Sequence, residues 1–240
     1  MTGHRLLSGT DARLRIAPWR GDATTAHLTP GRSRPTPAAL ARALDELTAG
    51  RYRAALTAAL PPVEQRPFLD AGFEVHERLH LLVRALDDLP PLEWTPAELR
   101  RGHQSDRARI LAVDVAAFPP FWRLDAPGLE DALAATPSAR LRVAVDPHQP
   151  EPVTAYAVTG RAGPRGYLQR LAVDPPVQGC GVGASLVVDG LRWLKRWGAK
   201  EVLVNTQEGN LAAVRLYERL GFDLQPEGLA VLRRSFGEAG

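Results

Sequence analysis

Residues Gly166–Gly183 read GYLQRLAVDPPVQGCGVG, and this run decides the fold. Gly166 to Val173 has the apolar-rich, β-compatible pattern of a strand, and Asp174, Pro175 and Pro176 stop it. A turn carrying three glycines follows, Gln178 to Gly183. It leads straight into Ala184–Trp197, where Leu186, Val187, Leu191 and Leu194 recur at helical spacing and Gly198 marks the stop. Beyond it, Glu201–Thr206 (EVLVNT) predicts a strand, Asn210–Leu220 (NLAAVRLYERL) a helix stopped by Gly221, and Gly228–Arg234 a final strand. The order β-turn-α-β-α-β is an α/β unit.

Upstream, Ala97–Gly102 predicts a strand, Asp106–Phe118 an amphipathic helix with Ser105 as its N-cap, and Gly128–Ala135 a second helix. Arg140–Val145 and Pro152–Thr159 alternate as a hairpin does. Residues 95–240 therefore form one α/β domain of ordinary size. The three-proline run Asp87–Pro96 (DDLPPLEWTP) reads as a linker.

Sliding the chain along itself by 149 residues aligns Ala71, Gly72 and Phe73 with Leu220, Gly221 and Phe222. The same register sets Phe68 on Tyr217, Thr57 on Thr206 and Arg84 on Arg233. Ahead of these, Pro37–Leu47 is helical and Tyr52–Leu60 holds the strand, the order seen downstream. The alignment suggests a degenerate partial copy within residues 1–90, alongside the alternative of chance likeness between two strand-helix-strand units.

With 45% hydrophobic and 24% charged residues, the 240-residue chain has a globular composition, which excludes collagen, coiled coil and bulk disorder. At this length roughly 70–75% of the unfolded surface can be buried, so a core needs neither disulfide nor structural metal. The single cysteine, Cys180, permits no intrachain bridge and suits a reducing compartment. Despite a pI of 9.4, net charge is only +3, and the arginines are scattered, so no nucleic-acid partner is expected. No apolar run reaches the roughly 18 residues of a membrane span, and Met1–Pro18 lacks a signal-peptide core. The expected location is the cytoplasm, with no membrane partner.

The turn has the chemistry of an anion site: three glycines let backbone N–H groups converge where the next helix presents its positive end. Ser185 offers a further hydroxyl. A dinucleotide fingerprint fits less well, although Gly179, Gly181 and Ala184 match G-x-G-x-x-A. Four residues, Asp174–Val177, separate strand from turn, and Glu201 begins its strand where a ribose-binding acid would end one. The plain alternative is a glycine-rich turn.

Gln178, Gly181 and Gly183 fill Q/R-x-x-G-x-G/A, the acetyl-coenzyme A motif of the GCN5-related N-acetyltransferases, which this sequence resembles. The likeness extends through LAVDP (Leu171–Pro175) and NTQEGNLAAVRLYERLGF (Asn205–Phe222). It implies an α/β fold with a mixed sheet, the acyl-coenzyme A N-acyltransferase fold, over residues 95–240, preceded by a truncated half-domain over residues 1–90. It also implies that the strand before the turn splays from its neighbour to admit the pantetheine arm, with Leu171, Ala172 and Val173 lining it. The Leu171 N–H would then face the thioester carbonyl, where a donor strengthens as negative charge develops.

By the same resemblance, Gly179, Cys180, Gly181, Val182, Gly183 and Ala184 cradle the diphosphate beside Gln178 and Ser185, and Asn210 meets the pantetheine arm. Asn210, Ala213 and Tyr217 fill N-x-x-A-x-x-x-Y, which makes Tyr217 the general acid for the departing thiolate. The plain alternative is a tyrosine packed on the core. No carboxylate stands near Tyr167, where some relatives keep a base. Glu208, Asp146 or His148 would have to act through water, and an acceptor amine of pKa about 8 needs less help than lysine. Cys180 fills a variable position, so no covalent acetyl-enzyme is expected.

Acceptor recognition falls to Phe118–Asp125 (FPPFWRLD), with Phe121 and Trp122 as an apolar wall; buried anchoring aromatics are the alternative. The N-terminal half, with Phe68 in place of the tyrosine and no glycine motif before Pro37, is expected to be non-catalytic. The overall expectation is a metal-free N-acetyltransferase using acetyl-coenzyme A on an amine of a small molecule or peptide, with a homodimer left open. The rival is a non-catalytic acyl-coenzyme A sensor or interaction protein.

Overall fold

The computed structural model describes residues 5–6, 14–20, 22–31, 34–50, 52–89, 97–146 and 152–236. In chain order the first elements are β1 (Arg5–Leu6), β2 (Leu14–Trp19), β3 (Asp22–Pro30), α1 (Pro37–Ala49), β4 (Ala54–Thr57), α2 (Pro62–Asp70) and β5 (Glu74–Ala85). Next come β6 (Glu98–Arg101), α3 (Arg107–Ala117), α4 (Ala126–Ala134), β7 (Ser138–Val145), β8 (Val153–Ala162) and β9 (Arg165–Val173). The chain finishes with α5 (Val182–Arg196), β10 (Glu201–Gln207), α6 (Leu211–Arg219), β11 (Asp223–Leu224) and β12 (Leu229–Ser235). They gather into two units. One holds residues 1–81, 205–210 and 225–240, the other residues 82–204 and 211–224.

In the first unit, β1, β2 and β3 pair antiparallel, β3 runs parallel to β4, and β12 lies antiparallel to both β4 and the start of β5. A parallel pair needs a crossover, and α1 supplies it. Leu40, Ala43, Leu44 and Leu47 recur on one face of α1 and are buried with Leu14, Ile16, Ala26 and Leu28. Each buried leucine contributes roughly 1.5–3 kcal/mol. Pro62 and Pro67 obscure α2 in the sequence, because proline reads as a breaker, yet Pro62 stands at the helix start, where no N–H is required.

The second unit is a mixed sheet with helices on both faces. β6, β7, β8 and β9 are antiparallel neighbours and β10 joins β9 in parallel, with α5 as the crossover. On one face Leu186, Leu191 and Leu194 of α5 pack with Ala155, Ala157 and Leu168. On the other, Ile110, Val113 and Leu129 of α3 and α4 meet Tyr156, Val158 and Ala172. β8 is thus covered on both sides, which is why Val153–Gly160 is buried without a break.

The Ser105 N-cap expectation is corrected. A 3-10 turn, Gln104–Asp106, precedes α3, and the Asp106 carboxylate takes the His103 N–H at 2.7 Å and the Arg100 guanidinium at 2.7 and 2.8 Å. An ionised acceptor makes the stronger hydrogen bond. Most of the Asp87–Pro96 linker lies outside the described residues, as does His148.

The 149-residue register meets matching local geometry. α2 and α6 have bounds that coincide when shifted by it. Gly72 (φ +80°) and Gly221 (φ +77°) follow them, and the N–H groups of Phe73 and Phe222 reach back to Phe68 and Tyr217 carbonyls at 3.0 Å. Both ends are Schellman closures.

Candidate active site

β9 and β10 keep their ladder only from Arg165 opposite Glu201 to Tyr167 opposite Leu203. β9 then continues to Val173 against β8 alone, among the described residues. The register with β8 slips where Val158 faces Arg170 and Thr159 faces Leu168, so Gln169 is an extra residue. A bulge bends its strand. Leu171 and Val173 line this stretch half-buried, and Ala172 points into the opposite core.

A 3-10 turn, Pro175–Val177, carries the chain from β9 into the glycine turn. Arg109 holds Asp174, and the Gln178 side-chain amide donates to the Val173 carbonyl at 3.0 Å. Gly179 and Gly181 have φ of +80° and +83°, in the left-handed region that side chains other than glycine rarely occupy. A Cβ on Gly183 would stand 3.3 Å from Val173 Cγ2, so glycine lets α5 approach β9 closely.

The turn is open at its donors. The first bond into α5 runs from Ser185 N–H to the Gly181 carbonyl at 3.0 Å, and Gly181 provides no side-chain cap. The six backbone N–H groups from Gly179 to Ala184 have no acceptor among the described residues. Ser185 is 1% exposed, and its hydroxyl has no hydrogen-bond partner there either. Unpaired donors at a helix start, next to its positive end, are the chemistry of an anion cradle. The donor set fits a diphosphate. Cys180 is exposed, with only a weak 3.9 Å contact from Sγ to the Gln178 carbonyl.

Tyr217, on α6, is 5% exposed, its ring tilted against Phe222 with centroids 5.5 Å apart. Burial pushes its phenol above the ordinary tyrosine range, and the charge of Arg170 partly opposes that. The hydroxyl makes no hydrogen bond with any described residue. Ala213 is half-buried on the same helix. Asn210 precedes it and belongs to the first unit, its N–H bonded to the Gln207 carbonyl at 2.9 Å.

Phe121 and Trp122 form a 3-10 turn after α3, half-buried, their rings edge to face at 5.0 Å. They are held from a cluster that sequence reasoning missed. Asp114 of α3, fully buried, takes two hydrogen bonds from Arg170 of β9 at 2.7 Å, one from the Leu124 N–H at 2.7 Å and one from the Tyr156 hydroxyl. Arg170 also donates to the Trp122 carbonyl at 2.7 Å and stacks over Phe118, 3.5 Å from the ring centroid. Its signals were an aspartate amid the apolar residues of a helix (ILAVDVAAF) and an arginine inside a buried strand. Of the water-relayed bases, Glu208 is exposed and Asp146 half-buried. Among the described residues no group of histidine, cysteine and carboxylates is placed to hold a metal, and no helix is long and apolar enough to cross a membrane.

Residues 116–222 match the sequence model of the Acetyltransferase (GNAT) family. A mycothiol acetyltransferase of Mycobacteroides abscessus is 31% identical over 67% of this chain and 57% of its own length. One from Thermobispora bispora is 44% identical over 26% of this chain and 21% of its own. The chain thus spans well under two thirds of these relatives. Among solved structures, a tandem GNAT protein from the clavulanic acid biosynthesis pathway superposes with a TM-score of 0.67 at 15% identity, over 95% of this chain and 79% of that one. A putative GNAT acetyltransferase of Novosphingobium aromaticivorans gives 0.62 at 20% identity, over 97% and 92%. The fold is that of these proteins, and residues 116–222 are a segment of the GNAT acetyltransferase family.

Proposed function

We propose that the protein is an acetyl-coenzyme A-dependent N-acetyltransferase acting on an amine of a small molecule or peptide. The observation that carries this reading is the row of six unpaired backbone donors at Gly179–Ala184, a surface that calls for an anion with several oxygens. Acetyl-coenzyme A supplies the activated acetyl group. Gln178 and the glycine turn hold its diphosphate, while Leu171, Ala172 and Val173 border the gap that β10 leaves beside β9, with Ala213 as a further contact.

Tyr217 serves as general acid. The amine lone pair forms the new C–N bond, the C–S bond breaks with its electron pair on sulfur, and the phenol proton goes to that sulfur. The amine proton leaves to solvent, and Tyr217 is reprotonated from it. Burial keeps the phenol protonated and also makes it a weaker acid, so its proton moves along a hydrogen bond to sulfur only as charge develops there. Leu171 contributes its main chain, so side-chain exchange there costs little. Residues 1–90 act as a non-catalytic partial copy ahead of catalytic residues 95–240. Reaction in the cytoplasm completes the reading.

Incubation with acetyl-coenzyme A and an amine panel, following free thiol, tests it. Amine-dependent thiol release is expected. Tight coenzyme binding without release above background for any amine would assign the chain to sensing instead.

A further inference from the structure

Arg170 is a strongly held cation whose hydrogen-bonding capacity is not used up. Its Nε and Nη2 are taken by Asp114 and the Trp122 carbonyl, the Tyr156 hydroxyl also lies within hydrogen-bond reach of the guanidinium, and Nη1 makes no bond to Asp114 or the Trp122 carbonyl. The side chain is 10% exposed, and Nη1 is not sealed from solvent. The free edge of the guanidinium is therefore fixed and reachable. It sits on β9 next to Leu171, stacks on Phe118 at the start of the Phe118–Asp125 segment, and its charge is felt at Tyr217.

Asp114 explains why such a group is rigid. Two parallel hydrogen bonds fix the guanidinium plane, while Tyr156 and the Leu124 N–H fix the carboxylate. Asp114 neutralises the formal charge, so Nη1 is a directional donor more than a long-range attractor. Both phenols nearby, Tyr156 and Tyr217, are pushed up by burial and stay neutral. A preoriented donor at this depth discriminates strongly, because an acceptor lacking the matching oxygen leaves it desolvated and unpaired.

We infer that Arg170 is a specificity-determining residue whose Nη1 receives a carboxylate of the acceptor, so that the preferred acceptors are amines that also bear a carboxylate. This rests on the acetyltransferase reading above and narrows its substrate class.

The test compares free α-amino acids with their carboxamides as acceptors, at saturating acetyl-coenzyme A and fixed pH, following thiol release by the full chain. Intrinsic reactivity favours the amides, since a neighbouring carboxylate holds the free acid's amine protonated. A preference for the acids therefore reports recognition. One charge-assisted hydrogen bond predicts kcat/KM about tenfold or more higher for acids than for amides. Arg170→Gln should bring that ratio to one or below through KM of the acid, with acetyl-coenzyme A affinity by calorimetry unchanged. Because the single variant leaves buried Asp114 unpaired, Asp114→Asn/Arg170→Gln provides the same comparison with both charges gone. Amides equal to or better than acids in the wild type overturn the inference alone, as does a ratio that persists in a folded variant. Failure of every amine to release thiol overturns the acetyltransferase reading and takes this inference with it.

Discussion

Two helices follow strands in the same parallel crossover, β3-α1-β4 and β9-α5-β10, yet their first turns are finished differently. At α1 the Thr36 hydroxyl accepts the Ala39 N–H at 3.2 Å, and Pro37 has no N–H to satisfy. At α5 the capping position is Gly181 at φ +83°, without a side chain to offer, and a run of amides is left open. The helices share their backbone dipoles. What separates a closed end from an anion cradle is which residues stand at the entrance. The ends of α2 and α6 give the companion lesson: identical Schellman closures hold Phe68 against Phe73 and Tyr217 against Phe222, so the two units differ there by a hydroxyl.

The contrast breaks most sharply at Gly181. Gly181→Val places a β-branched residue at a left-handed φ and a side chain among the amides. Losing two charge-assisted bonds lowers coenzyme A affinity about 1000-fold, measured by calorimetry. Next in size, Tyr217→Phe makes α6 resemble α2 in its aromatic residue. It should lower turnover about 100-fold in single-turnover assays while coenzyme affinity stays within about twofold.

Acid separates the two units. In the first, burial, then the charge of Arg20, holds His27 down from 6.5 to about 4, so the unfolded chain binds the proton first. Stability present above 6.5 is lost as pH falls from there to about 4. In the second, the Arg100 hydrogen bonds hold Asp106 down from 3.8 to about 2, so its contribution is lost between those values. Hydrogen exchange across pH 7 to 2 should show residues around His27 losing protection before those around Asp106. The smallest effect is at Thr36. Thr36→Ala removes a cap worth about 1 kcal/mol, read by urea unfolding, without changing coenzyme affinity.

The second unit was legible because periodicity and punctuation agree there: β9, α5, β10 and α6 fall within about two residues of their sequence-predicted bounds. Ser105 misled because a nearby aspartate with an arginine partner outcompetes a hydroxyl for the turn. Between β2 and β3 the sequence reads Arg20-Gly21, a glycine without the preceding asparagine or aspartate that marks a two-residue hairpin, and prolines hid α2. At the site, the glycine turn and the tyrosine helix were readable as motifs. The Asp114–Arg170–Tyr156 cluster was not, since its members stand on α3, β9 and β8 and meet only through tertiary packing.

The most direct measurement is calorimetric titration of the purified chain with coenzyme A and, separately, with pantetheine, which has the thiol arm but no diphosphate. Binding of coenzyme A with pantetheine at least about 100-fold weaker is expected from several charge-assisted bonds at Gly179–Ala184. Equal affinities, or no heat with coenzyme A at all, contradict a diphosphate cradle there.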